Sequence, residues 1–333
     1  MGTYRLILAI LVALSHIGIT FLGMNPGVSA VISFFLISGY VMTALISQYY
    51  EKPAEIPHFY SDRILRLFPQ YLFYAALALS AMWIFNIENE RYWKDLDLTS
   101  IILNLAMLPT GFYMLGLESA LIIPPAWSLG LEVSFYILIP LLLIYKARNL
   151  AFCASIVVFI CAYLGILNTN YFGYRLLPGT LFMFILGSYL MRSSPKERKL
   201  ALIAYVGCIA LLINTVLFNQ HIFRYNAEVL LGVVLGLPLV ALLSKMRRTK
   251  WDDALGNLSY GVFLNHYLIR TLMIHAEIDI RSTTGLTIYL GTSLVFAYIT
   301  FMFIERPVID LRRRYRMKQK VGVEQTISIG QAN

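Results

Sequence analysis

Charge is scarce in this chain. Lysine, arginine, aspartate and glutamate make up 14% of the 333 residues, against 59% hydrophobic residues. A soluble globular domain carries about 25% charged residues. The shortfall falls in long apolar runs, which excludes a soluble two-domain protein, because its helices would need polar faces. Cysteine is scarce too. Cys153, Cys161 and Cys208 all lie in apolar segments and none has metal-ligand spacing. They read as small hydrophobes, and no metal site is expected. Acidic residues number 18 against 27 basic ones, for a net charge of +9. The basic excess sits in short stretches between apolar runs and in the C-terminal tail. It forms no continuous basic face, so no nucleic-acid partner is expected. An internal repeat is also absent, which disfavours an inverted-repeat transporter.

What remains is a series of apolar segments. They fall at 4–23, 28–48, 68–86, 127–145, 150–167, 177–191, 200–218, 226–243, 254–275 and 284–304. A spanning helix needs about 20 residues. The first segment mimics a secretory signal, with Arg5 before it and Val28-Ser29-Ala30 as a cleavage-like triplet. It also carries His16, and the apolar pattern resumes at Val31, so we read it as a retained span. A further segment, 100–116, is interrupted by Asn104, Pro109 and Gly111.

Loop charge decides how that segment sits. The tail Arg312 to Lys318, the loop Lys245 to Lys250, the stretch Arg192 to Lys199 and the pair Lys146 and Arg148 all fall on one side when counted backwards. Arg5 and the loop around Arg63 and Arg66 fall on that same side when counted forwards. The two counts agree only if 87–126 stays outside, so 100–116 is expected to be re-entrant or interfacial. The expected fold class is all-α: a polytopic membrane protein of about ten transmembrane helices with both termini cytoplasmic. Residues 1–310 form the membrane domain. Residues 311–333 form a basic tail, amphipathic to about 318 and disordered from Val321 to Asn333.

An ionisable residue within a span is costly and is a functional candidate by default. Arg5 and His16 are eleven steps apart. That is three turns plus about 20°, so both share one face, about 16 Å apart along the axis. The plainer alternative is a snorkelling arginine and a core histidine. Ser128 and Glu132 lie four apart on one face beside Trp127, and Tyr136 continues it. Ser259 and His266 also share a face, next to Tyr260. A structural hydrogen bond would account for each of these groups as well. Arg63 and Arg66 lie three apart, on one side of a helical turn, and arginine forks suit phosphates. Ser38-Gly39 sits mid-span, where small residues allow close helix approach.

Together these residues resemble the membrane acyltransferase-3 family. The likeness runs through Arg5 with His16, Phe34 to Gly39, Arg63 to Pro69, Trp127-Ser128-Leu129 with Glu132 and Phe135-Tyr136, Ser259-Tyr260-Gly261 with His266, and Glu305-Arg306-Pro307. The blocks occur in the family's order over residues 5–307.

The resemblance implies a bacterial inner-membrane enzyme. Such enzymes move an acetyl or other short acyl group from cytoplasmic acyl-CoA to a hydroxyl of a surface polysaccharide or lipid-linked sugar, such as exopolysaccharide or O-antigen. Acetyl-CoA is then a co-substrate, and no permanently bound cofactor is expected. The resemblance assigns catalysis to His16 and Arg5, and the acyl donor to Arg63 and Arg66. We expect Glu132 to orient an imidazole or hold the sugar, and Trp127, Ser128, His266, Ser259 and Tyr260 to bind substrate. His16 is expected to act as general base or as an acyl-carrying nucleophile. Two departures stand out. Position 62 is Asp where many members carry a basic pair, and the fused periplasmic domain of some members is missing. The rival expectation is a glycan transporter or flippase without covalent chemistry.

Overall fold

The computed structural model describes residues 1–87, 91–218, 225–247 and 249–312. The tail expected beyond Arg312 lies outside the described residues, as does Arg248 of the basic loop. The described chain is all-α apart from one isolated bridge between Phe21 and Met24. Its helices are α1 (Gly2–His16), α2 (Pro26–Tyr49), α3 (Ile56–Phe85), α4 (Leu98–Leu105), α5 (Trp127–Ile144), α6 (Arg148–Tyr163), α7 (Leu177–Met191), α8 (Pro195–Leu217), α9 (Asn226–Lys245), α10 (Lys250–His275) and α11 (Thr283–Thr300). A π turn, Phe301–Glu305, continues α11 toward Arg312.

Seven described stretches are long and apolar enough to cross a membrane, and α1 and α6 are shorter apolar helices. They correspond to nine of the ten expected segments, and α10 to the tenth. α10 carries Ser259, Asn265 and His266 along its middle. Residues 259–269 are all buried, so those polar groups face protein rather than lipid, as an intramembrane polar group must. α8 does the opposite. It exposes Leu202, Ile203, Val206 and Ile213, the face expected where lipid is the solvent.

The first span is shorter than 4–23. α1 stops at His16, and Gly18 and Gly23 both adopt positive φ, 82° and 77°. Glycine is the residue that takes this conformation at a helix end. Asn25 then caps α2, accepting a hydrogen bond from Gly27 N–H, with Pro26 at its first position. His16 therefore stands in the last turn of α1, beside a chain reversal.

α2 is the central post, packed against α1, α7 and α9. A Cβ at Gly39 would overlap the Phe184 carbonyl of α7, and one at Gly187 would overlap the Leu36 carbonyl of α2. Close approach is thus the role of Gly39. Segment 100–116 is not a spanning helix. It comprises α4 and the 3-10 stretch Leu108–Leu115, folded onto α5. Asn104, one of the residues that interrupt the apolar run, holds it there. The Asn104 amide donates to the Ala120 and Ser100 carbonyls (2.6 and 2.8 Å) and accepts from Ile122 N–H (2.9 Å).

Candidate active site

Two chambers meet inside the bundle. The inner one, about 150 Å³, is lined by Arg5 of α1, Ser38 of α2, Arg63 and Arg66 of α3, Ser128, Glu132 and Tyr136 of α5, and Ser259 and Tyr260 of α10. The outer one, about 190 Å³, is lined by Ser15 and His16 of α1, Trp127 and Ser128 of α5, Tyr92, and Tyr174, Arg175 and Tyr225. Val31, Ser128 and Phe263 line both. Arg5 and His16, on one stripe of α1, reach one chamber each.

Two of the three arginines that line the inner chamber are ion-paired. Arg66 is ion-paired with Glu305, and its guanidinium lies 5.1 Å from the Tyr260 ring centroid. Arg63 is ion-paired with Asp62. Arg312 also binds Asp62, with its Nε and Nη2 donating to the two carboxylate oxygens at 3.0 and 3.1 Å. Asp62 is 1% exposed. The carboxylate at this position thus ties the last described helical turn to α3. Among the described residues Arg5 has no carboxylate within ion-pair distance. Tyr136 Oη donates to Glu132 Oε1 at 2.6 Å. Ser128 and Ser259 donate to the carbonyls of Pro125 and Gly256, and Tyr260 donates to that of Leu67. Their hydroxyl protons are therefore used within the protein.

The outer chamber contains the histidine. His266 Nδ1 lies 3.0 Å from Val262 O, and His16 Nδ1 lies 2.9 Å from Val12 O. A carbonyl only accepts, so each Nδ1 carries a proton. His266 Nε2, 3.2 Å from His16 Nδ1, is then a lone pair accepting from the shared Nδ1–H of His16. His16 Nε2 is left unprotonated on the ring that lines the chamber. Such a nitrogen can take a proton from a hydroxyl, or attack a carbonyl carbon.

His266 was expected at the substrate; it is fully buried and turned to His16. Glu132 was expected to orient an imidazole or hold the sugar; it sits among the arginines of the inner chamber, and the group hydrogen-bonded to His16 is His266. The sequence reading also missed Arg175, and it gave Glu305 and Arg312 no partner. The available signal for Arg175 was its place. It is a lone cation at the end of a span where the charge bias expects few.

A family model described as an acyltransferase domain matches residues 3–302, from α1 to the π turn, and so takes in every residue that lines the two chambers. The chain belongs to the acyltransferase-3 family. The membrane acyltransferase domain is similar, at 36% identity, to an uncharacterized protein of Aquifex aeolicus (strain VF5), over 57% of this chain and 89% of that protein. It is also similar, at 24% identity, to the O-acetyltransferase OatA of Staphylococcus aureus (strain NCTC 8325 / PS 47), over 86% of this chain and 53% of OatA. The chain thus spans about half the length of OatA. No solved structure matches it. Within the acyltransferase, Glu305 and Arg312 lie just past the matched residues, yet both reach back to α3, Glu305 to Arg66 and Arg312 to Asp62.

Proposed function

We propose that this acyltransferase carries an acetyl or other short acyl group across the membrane boundary. The donor is cytoplasmic acyl-CoA. The acceptor is a hydroxyl of a surface polysaccharide or a lipid-linked sugar, such as exopolysaccharide or O-antigen. On this reading ten helices span a bacterial inner membrane, both termini are cytoplasmic, and no fixed cofactor takes part. The observation that supports it most is the junction at Ser128, where an arginine-lined chamber meets a histidine-lined one.

The donor's phosphates meet Arg63 and Arg66, and the pantetheine arm runs inward past Arg5. The acceptor hydroxyl lies against His16 Nε2. As its oxygen attacks the thioester carbonyl, His16 takes the proton, the C–O bond forms, and the C–S bond breaks. The CoA thiolate then takes up a proton, and His16 releases the one it took, so the net products are the ester and free CoA thiol. Arg5, at the inner end of the same stripe and about 16 Å from His16 along the axis, adds positive charge along the donor's path rather than at the reacting carbonyl. Glu132 and Ser128 flank the passage, and Trp127 offers a face to the sugar. His16→Ala is the direct test, in purified protein reconstituted in nanodiscs. Wild type should consume acetyl-CoA only when acceptor glycan is present, and the variant should lose at least about a hundredfold in rate. A wild type that moves glycan while leaving acetyl-CoA intact would be a transporter instead.

A further inference from the structure

The outer chamber holds an arginine that the transfer step does not use. Arg175 ends the π turn Tyr171–Arg175 that leads into α7. Its guanidinium carbon lies 6.0, 5.5, 5.2 and 5.4 Å from the ring centroids of Tyr113, Trp127, Tyr174 and Tyr225. Nη1 donates to the side-chain oxygen of Asn170, while Nε is buried without a partner. Among the described residues no carboxylate lies within ion-pair distance of it. Glu228, at the start of α9, directs its Oε1 at the backbone N–H of Asn25 instead, at 3.3 Å.

Arg175 is half-buried, and a cation drawn this far from water is normally paired. The four rings satisfy part of that need, because an aromatic face attracts a cation. They do nothing for the N–H edge, which seeks an acceptor in the guanidinium plane. His16 lines the same chamber.

We infer that Arg175 anchors an anionic substituent, a carboxylate or a phosphate, on the acceptor sugar, which lies on the aromatic walls with its hydroxyl toward His16. The fork would accept such a group along its Nε edge. A neutral sugar would leave that edge unmatched. The acceptors of this enzyme are thus acidic glycans or phosphate-linked sugars. This inference rests on the reading that the acceptor enters the outer chamber. It does not require that transfer has been observed.

The test is a binding measurement. Wild type and R175Q, reconstituted in nanodiscs, are titrated with glucose, glucuronate and glucose 6-phosphate, and binding is followed by isothermal titration calorimetry. At least one charged sugar should bind wild type about tenfold more tightly than glucose, the scale of a charge-assisted hydrogen bond. That preference should fall as salt rises. In R175Q, at an unchanged melting temperature, the charged sugar should drop to the level of glucose. Whichever charged sugar gains more tells carboxylate from phosphate. Equal binding of all three by wild type, or binding of none, overturns the proposal, and so does a preference that survives in R175Q. If R175Q fails to fold, the wild-type preference and its salt dependence still decide. A protein that binds the charged sugar yet never consumes acetyl-CoA would retain the anion site and lose the transfer mechanism.

Discussion

His266 Nε2 lies 3.2 Å from His16 Nδ1. Each Nδ1 also sits against a carbonyl of its own helix, four residues back. The pair therefore fixes one tautomer, in which His266 accepts and His16 Nε2 is free. A group that sets the tautomer and angle of a catalytic imidazole acts on rate rather than on substrate affinity. His266→Phe removes the acceptor and should lower kcat by about ten- to a hundredfold, with little change in KM for acetyl-CoA. Steady-state kinetics in nanodiscs checks this. A variant with wild-type kcat would show that the Val12 carbonyl orients His16 unaided.

The ion pair of Arg66 with Glu305 joins α3 to the turn after α11. Glu305 is 5% exposed and Arg66 is partly buried, so Glu305→Ala leaves a partly buried guanidinium uncompensated. Breaking such a pair costs about 3–5 kcal/mol. A double replacement, Arg66→Leu with Glu305→Leu, removes both charges and should recover most of that loss. It should still fail to bind acyl-CoA if Arg66 meets the donor phosphates. Melting temperatures of the two variants and wild type, with and without acetyl-CoA, separate the two effects: only the single variant should be strongly destabilised, and the double variant should gain no stability from the ligand.

Much of this architecture was legible because lipid imposes one rule, that spanning backbone be helical. Every apolar run became a helix, and loop charge kept 100–116 from being counted as a span. The stripe from Arg5 to His16 was legible because helix geometry fixes which residues share a face. Partners across the bundle were not. Nothing in the spacing says that His266 lies against His16 rather than in the substrate chamber, because that depends on how α1 packs on α10. Glu305 and Arg312 were hidden for the same reason. Their partners are more than two hundred residues away along the chain. The end of α1 at His16 was missed because Gly18 and Gly23 sit in an otherwise apolar run.

Close approach of α2 and α7 gives a stability prediction. A methyl group at Gly39 would meet backbone, the Phe184 carbonyl, and no side chain can swing away. Gly39→Ala should therefore cost about 1–3 kcal/mol, as overpacking does, and Gly39→Leu should abolish the folded monomer. Ser38 lines the inner chamber next door, so activity should fall together with stability. Detergent-solubilised protein followed by size exclusion and thermal melting would show it. A Gly39→Leu chain that melts like wild type would mean that the helices stand further apart than described.

Asp62 offers a way to ask whether the inner chamber binds phosphate at all. One carboxylate serves two arginines, Arg63 and Arg312. In Asp62→Asn both guanidinium groups lose their counter-charge, so the ligand-free protein should be less stable, by about 3 kcal/mol or more. A ligand that supplies the missing negative charge should then stabilise the variant more than it stabilises wild type. Binding to the folded state alone raises stability by RT ln(1 + [L]/Kd). The expected signature is a lower melting temperature without ligand and a larger upward shift with acetyl-CoA. Dephospho-CoA, which keeps the diphosphate and lacks the ribose phosphate, would show which group is read. An Asp62→Asn protein whose shift with acetyl-CoA equals that of wild type would place the donor phosphates away from Arg63.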